Sequence, residues 1–332
     1  MRNKVEKIAV LTSGGDSPGM NAAIRAVVRT AIGRGVKIFG IRKGYTGIYE
    51  ENMIEMTAES VSGIIMRGGT ILYTARNKEM LTEEGQKRAA GILKDHGFDG
   101  LVVIGGDGSY RGAQALSKNG INVICIPGTI DLDVASTRYT IGFDTAVNTA
   151  VEAIDKIKDS SASHERVSII EVMGRSAGYI ALESGIATGA EEILIPEDYN
   201  YDENKIIEAV IDNRKRGHRH NIIINAEGIG DSMDMAKRIE AATGIETRAT
   251  VLGYLQRGGN PTCRDRVMAS VMGEMAVRLL CEGKRNRVIA FQASEYTDFD
   301  IDEALAMKKT IPKYMVNVAE MLTYHYTKLN AI

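Results

Sequence analysis

Short apolar runs alternate with longer amphipathic stretches along nearly the whole chain. Lys7-Ile8-Ala9-Val10-Leu11 predicts a strand ending at about Thr12, and Ala22, Ile24, Val27, Val28 and Ala31 then recur at helical spacing. Val36–Ile41 predicts the next strand, and 82–97 a helix opening on Thr82. Strand Leu101–Ile104, helix Ser109–Asn119 and strand Asn122–Ile126 follow. In helix Asp144–Ser160, Val147, Ala150, Val151, Ile154 and Ile157 mark the buried stripe. Strands Val167–Val172, Ile193–Ile195, Asn221–Asn225, Thr247–Leu252 and Val288–Phe291 alternate with further helices, and the tail from Tyr314 reads as helical. Repeated strand–helix units with short connections imply parallel sheets covered by helices on both faces. Such sheets bind ligands beyond the carboxyl ends of their strands.

Three of the strand ends carry glycine–aspartate clusters: Ser13-Gly14-Gly15-Asp16-Ser17, Gly105-Gly106-Asp107-Gly108-Ser109 and Pro127-Gly128-Thr129-Ile130-Asp131-Leu132-Asp133. Glycines there let backbone N–H groups approach phosphate oxygens. The aspartates are able to hold Mg²⁺ or take a proton from an attacking hydroxyl. Three clusters at neighbouring strand ends predict one site for phosphates and acid–base chemistry, the layout of a phosphotransferase. The pattern GxxxxGK[ST] is missing, so phosphates fall to the glycine clusters and to arginines.

Composition narrows the class. At 332 residues the chain is long enough for about two domains. A net charge of −2 and an aromatic content of 5% without tryptophan argue against a nucleic-acid-binding surface. Cys125, Cys263 and Cys281 are odd in number and widely spaced, with no CxxC or Cys/His cluster, which argues against structural zinc and against a disulfide framework. The opening Met1–Lys7 leads into a strand and not a secretory signal, and no transmembrane stretch is present, so a cytoplasmic location is expected.

The chain closely resembles the bacterial ATP-dependent 6-phosphofructokinases. The resemblance runs through Leu11–Asn21, Gly105–Ser109, Pro127–Asp133, Ile170–Arg175, Arg248–Gly253 and Gln256–Gly259. It implies two doubly wound, Rossmann-like α/β domains that exchange segments, about 1–142 with 258–307 for nucleotide and 143–257 with 308–332 for sugar phosphate. It also implies a homotetrameric, allosteric glycolytic kinase. Such an enzyme moves the ATP γ-phosphoryl to the 1-hydroxyl of fructose 6-phosphate, with Mg²⁺.

Carried over residue by residue, the resemblance makes Asp131 the general base, with Arg76, Arg175 and Thr129 as its catalytic companions. ATP falls to Gly15, Arg76, Asn77, Gly106, Asp107, Gly108 and Ser109, with the phosphates of the first cluster set at the N-terminus of the first helix. Mg²⁺ falls to Asp107 and Asp133; Asp133 is two residues from Asp131 and in an extended segment faces the same side. The sugar phosphate falls to Thr129, Ile130, Asp131, Arg166, Met173, Gly174, Arg175, Glu227, Arg248, Tyr254 and Arg257. Arg166 and Arg248 are expected from across a subunit interface. The basic run Arg214–His220 alone reads as a solvated helix end. The resemblance instead puts Arg216, His218, Arg219 and His220, with Arg25, Arg29, Lys158, Gly189 and Glu191, at an allosteric site for ADP, GDP or phosphoenolpyruvate.

The chain departs from the family at several points. Leu132 replaces an asparagine between the two aspartates, Tyr254 replaces a histidine of the 6-phosphate clamp, and Arg138 stands where an acid is usual. Ala58 and Gly63 replace an arginine and an aspartate of the effector site. Two other readings stay open. Pyrophosphate-dependent relatives place aspartate at Gly108 and lysine at Gly128, where glycines here leave room for a nucleotide. A catalytically weakened sugar-phosphate or nucleotide sensor is the third reading, motivated by Leu132 and Tyr254.

Overall fold

The computed structural model describes residues 5–197 and 202–323. The chain forms two compact units, each built from two separate segments: Met1–Thr145 with Arg257–Lys309, and Ala146–Gln256 with Thr310–Ile332.

The first unit is a seven-stranded sheet between two layers of helix. Its strands are β1 (Lys7–Thr12), β2 (Lys37–Ile41), β3 (Met53–Glu55), β4 (Gly100–Gly105), β5 (Val123–Pro127), and, from the returning segment, β10 (Arg287–Gln292) and β11 (Glu295–Asp300). They lie in the order β11-β10-β5-β4-β1-β2-β3. Inner neighbours are parallel; β3 on β2 and β11 on β10 are antiparallel. The expected parallel sheet is therefore mixed at both edges. Period-two alternation sorts the strand residues into two cores. Ile8, Val10, Val102, Ile104, Ile124 and Ile126 pack with helices α1 (Met20–Gly33) and α9 (Cys263–Cys281). Ala9, Leu11, Leu101, Val103, Val123 and Cys125 pack on the other face with α3 (Glu83–Asp95), α4 (Asp107–Lys118) and α10 (Ile301–Ala306). The short α2 (Thr46–Tyr49) closes that side. Helices α1 and α9 pack unusually close. A Cβ on Gly273 would stand 2.6 Å from that of Ala26 and 2.8 Å from the Ala23 carbonyl, so glycine is required there.

A fully buried Asp265 ties α9 to the turn before α5 (Phe143–His164). Its carboxylate accepts from the Tyr139 hydroxyl at 2.7 Å, from the N–H of Gly142 at 2.7 Å and from both N–H and hydroxyl of Thr145. Burial pushes its carboxyl pKa up, and these donors pull it back.

The second unit holds a parallel sheet of β7 (Glu192–Leu194), β8 (Asn221–Ala226), β6 (Val167–Val172) and β9 (Thr247–Val251), in that order. On one face Val167, Ile169 and Ile223 pack against α7 (Glu203–Lys215) and α8 (Ser232–Thr243). Helices α6 (Tyr179–Thr188) and α11 (Lys313–Leu322) pack on each other. The helical tail expected from Tyr314 is present as far as Leu322; positions from 324 on lie outside the described residues. No helix among the described residues is long and apolar enough to cross a membrane.

Candidate active site

The ends of β1, β4 and β5 lie side by side, with Thr12 opposite Ile104 and Gly105 opposite Pro127. The three glycine–aspartate clusters therefore leave the sheet together. They interlock: the Ser13 N–H donates to the Ile104 carbonyl and the Gly128 N–H to that of Gly105, both at 2.9 Å. The Ser109 hydroxyl sits between Gly105 and Gly14, and Thr129 lies over Gly106.

The helix N-terminus at these strand ends belongs to the second cluster, not the first. Helix α1 begins only at Met20, after the Pro18-Gly19 turn, and Asn21 inside its first turn is spent on the carbonyls of Arg67 and Gly68 and the N–H of Ile71. Gly15 is thus a strand-end residue rather than part of a helix N-terminus. Helix α4 instead starts at Asp107, two residues earlier than expected, with Gly106 as its N-cap and an exposed Gly108 in its first turn. That end offers the unsatisfied N–H groups and positive dipole that suit phosphate. Asp107 is not the cap. Its carboxylate is partly exposed and accepts from Arg111 Nε at 3.0 Å.

The third cluster is bent, not extended. Leu132 is left-handed, at φ +54°, and 6% exposed. The two-residue alternation expected of Asp131 and Asp133 does not apply across it. The Asp131 N–H bonds the Thr129 hydroxyl at 3.2 Å. Lys309 donates to the carbonyls of Val134 and Thr137 beside Asp133, and burial pushes its pKa down to about 8. Ile130 is buried.

Arg76 is exposed on the loop after Tyr73, which is also left-handed, at φ +56°. This loop is tied to the first cluster: the Thr74 hydroxyl donates to the Gly14 carbonyl at 2.7 Å, and the Thr12 hydroxyl donates to the Tyr73 carbonyl at 2.9 Å. Asn77 serves a local purpose, accepting from the Met80 N–H at 3.0 Å and donating to Thr46. Arg257 joins this unit, its guanidinium lying against Gly15.

In the second unit, Met173, Gly174 and Arg175 form the turn after β6. Arg175 is left-handed, at φ +60°, and its N–H donates to the Glu227 carboxylate at 2.6 Å. Gly174, at φ +144°, leaves no room for a Cβ, which would stand 2.3 Å from the Ala177 carbonyl. The Met173 N–H is held by the buried Gln256 at 3.2 Å. Arg166 and Arg248 gather on one acid, Glu246, at 3.5 and 2.8 Å. Arg257 belongs to the first unit. Tyr254 is 79% exposed.

Of the expected effector residues, Lys158, Gly189, Glu191, His218 and His220 come together. Lys158 donates to the Thr188 carbonyl at 2.7 Å, and Gly189 ends α6 in the left-handed region. His218 Nε2 lies 2.9 Å from a Glu191 oxygen, and its ring centroid is 4.7 Å from that of His220. Arg219 is drawn to Glu165 at 2.9 Å, and Arg216 caps the C-terminus of α7. Arg25 and Arg29 lie on α1, in the first unit.

Sequence reasoning missed Lys309 and Asp265. An aspartate in the first turn of a helix reads as an ordinary dipole partner. A lysine in a Lys-Lys pair reads as solvent-exposed.

Residues 7–280 match the family model described as phosphofructokinase. The chain is 56% identical over 317 residues to a Clostridium botulinum ATP-dependent 6-phosphofructokinase, covering 95% of this chain and 99% of that one. It is 55% identical over 319 residues to the enzyme of the same name from Clostridium acetobutylicum, covering 96% of this chain and all of that one. The solved phosphofructokinase of Saccharomyces cerevisiae superposes with a TM-score of 0.83 at 34% identity, covering 96% of this chain; the chain spans about half the yeast chain's length, 48%. A pyrophosphate-dependent phosphofructokinase from Marinobacter aquaeolei superposes with a TM-score of 0.83 at 25% identity, over 93% of this chain and 86% of that one. The chain belongs to the phosphofructokinase family.

Proposed function

We propose that the chain is an ATP-dependent 6-phosphofructokinase. It transfers the γ-phosphoryl group of ATP to the 1-hydroxyl of fructose 6-phosphate, giving fructose 1,6-bisphosphate and ADP, as a glycolytic step in the cytoplasm. The observation that carries this reading is the meeting of three glycine–aspartate strand ends in a chain 56% identical to an enzyme of that name.

Asp131 takes the proton of the 1-hydroxyl as that oxygen attacks the γ-phosphorus. The N-terminus of α4, through Gly106, Gly108 and Ser109, holds ATP phosphates, with Gly15 and Arg76 and with Asn77 beside them. Asp107 and Asp133 supply the hard carboxylate oxygens that suit Mg²⁺, and Asp107 is partly exposed to solvent. When bound, the ion neutralises charge on the phosphates. Arg175 stabilises charge in the transition state, with Thr129 contacting substrate. Glu227 serves twice, fixing the Arg175 backbone and accepting from sugar hydroxyls. Ile130, Met173 and Gly174 shape the sugar site. Arg166, Arg248, Arg257 and Tyr254 receive the 6-phosphate, the first two from a neighbouring subunit of a homotetramer. Nucleoside diphosphate or phosphoenolpyruvate binds at the Lys158–Glu191–His220 cluster, with Arg25, Arg29, Arg216 and Arg219.

A coupled assay of fructose 6-phosphate with ATP or with pyrophosphate tests the reading. Turnover with ATP alone is expected; turnover with pyrophosphate alone would overturn it. The pyrophosphate reading keeps a place because of the Marinobacter likeness. Gly108 and Gly128 bear on it differently. A side chain at Gly108 would enter open space, whereas a Cβ at buried Gly128 would meet Ile104 at 3.0 Å and Met20 at 3.3 Å. A lysine at 128 would therefore need the core to move, which disfavours the pyrophosphate pattern on this backbone.

A further inference from the structure

Glu191, His218 and His220 each offer a ligand atom, and these atoms all lie within 4.8 Å of one another. We propose that these three side chains form a binding site for a borderline-soft divalent cation, Zn²⁺ by chemistry, built into the second unit.

The geometry suits a tetrahedral ion. With N and O ligands at about 2.0–2.1 Å, neighbouring ligand atoms stand about 3.3 Å apart. His218 Nε2 and Glu191 Oε1 are now 2.9 Å apart, sharing a hydrogen bond, so a metal replaces one proton with little movement. The other Glu191 oxygen accepts from the Ile222 N–H at 2.6 Å, which fixes the carboxylate as an outer partner orients a metal ligand. Glu191 itself is 9% exposed, so the ion would meet a prepared and poorly hydrated carboxylate. The two rings come from the turn between α7 and β8, in a His-x-His spacing anchored by the strand that begins at Asn221. Lys158 is the cation that opposes binding, and Glu191 the anion that favours it; the Lys158 ammonium is itself bonded to the Thr188 carbonyl. Two imidazoles and one carboxylate favour zinc over magnesium, which prefers oxygen alone. A fourth position is left for water or for an oxygen of a bound anion. Zinc bound there would cross-link α7, β8 and the residue preceding β7, which joins the cation to the cluster where an effector is proposed. Binding of zinc does not depend on whether a nucleotide also binds.

Zinc, and Co²⁺ as its spectroscopic stand-in, are titrated into tag-free full-length protein carrying Cys263→Ser, because Cys263 is an exposed thiol that binds such ions by itself. One metal per chain is expected, with the visible Co²⁺ bands of a low-coordinate site and a zinc-dependent rise in Tm. His218→Gln and His220→Gln should each weaken binding by at least the roughly 10–100-fold that loss of a mere supporting partner costs. His164→Gln, in the same unit, should leave it unchanged. The His220 variant covers the case in which loss of the His218–Glu191 hydrogen bond disturbs the fold. Absence of stoichiometric metal, or binding that survives in both histidine variants, overturns the site. ADP binding is measured on the same proteins without zinc. A chain that binds zinc and not ADP overturns the effector reading and leaves the metal site standing; the converse overturns the metal site alone.

Discussion

The guanidinium of Arg257 rests on Gly15, with Cζ and one terminal nitrogen each 3.1 Å from where a Cβ on that glycine would stand. A residue proposed for the sugar 6-phosphate thus touches one proposed for ATP. Gly15→Ala introduces a methyl against the far end of a flexible side chain, and the Gly15 backbone is not among the left-handed glycines. Stability should therefore change by less than about 1 kcal/mol. The methyl nevertheless takes phosphate space and displaces a cation. If each contact is worth about 1.4 kcal/mol, KM should rise about tenfold. Steady-state kinetics with each substrate varied check this; unchanged KM for both separates Arg257 and Gly15 from the ligands.

Asp131→Asn keeps the side chain's shape and removes its basicity. Turnover should fall by roughly 10²–10⁴ with little change in KM. The Asp131 N–H bond to Thr129 is a backbone one and survives the change. A kcat near that of the parent would take the base assignment away from this residue.

Tyr254 is exposed and offers a neutral hydroxyl where the family offers histidine. Tyr254→His should lower the KM for fructose 6-phosphate several-fold, and more at mildly acidic pH, where the imidazole is charged. The KM for ATP should hold. The same fructose 6-phosphate KM at all pH values tested would place residue 254 away from the phosphate.

Lys309 gives a pH signature. Burial first, then Arg138, lowers its pKa to about 8 from an ordinary 10.5, and Asp133 opposes them. Between these values the unfolded chain holds the proton and the folded chain does not, so stability rises with pH across that window. Below about pH 8 the folded state carries the full penalty of the buried charge. The rise amounts to as much as about 3 kcal/mol. In urea unfolding the parent should gain stability relative to Lys309→Met as pH rises from 8 to 10.5, because its buried-charge penalty disappears while Met never carries one; a pH-independent difference would mean that the ammonium is not desolvated.

The strand ends and their clusters were legible because each apolar run stops at a glycine, the residue a close phosphate or a tight turn requires. The start of α4 was not, because Gly106-Asp107-Gly108 carries turn residues and only the dipole at a helix start tolerates them. Leu132 was read as extended because leucine carries no turn signal. A non-glycine residue at positive φ costs about 1–2 kcal/mol, and the family's asparagine tolerates that region better. Tyr73 and Arg175 hide the same conformation for the same reason, and all three border proposed catalytic loops, where such strain collects. Strands β3 and β11 escaped notice as well. The first spans only Met53–Glu55, and the second, Glu-Tyr-Thr-Asp-Phe-Asp, is too polar to read as a strand by hydrophobicity. His218 and His220 read as part of a basic run, since their acid partner lies far off in sequence at Glu191.

The returning segment of the first unit has a consequence for the chain as it leaves the ribosome. Residues up to Thr145 supply β1 to β5, but β10, which pairs with β5, and α9, which covers α1, are made only after 146–256. At about 5–20 residues per second, that wait lasts roughly 5–20 s. Throughout it the apolar face of α1 lacks its cover and β5 presents an open edge. Asp265 waits as well, so the turn that carries Gly142 and Thr145 has no acceptor until α9 emerges. The nascent first unit is the stage at which a chaperone, or a neighbouring nascent copy, finds the most exposed surface to hold.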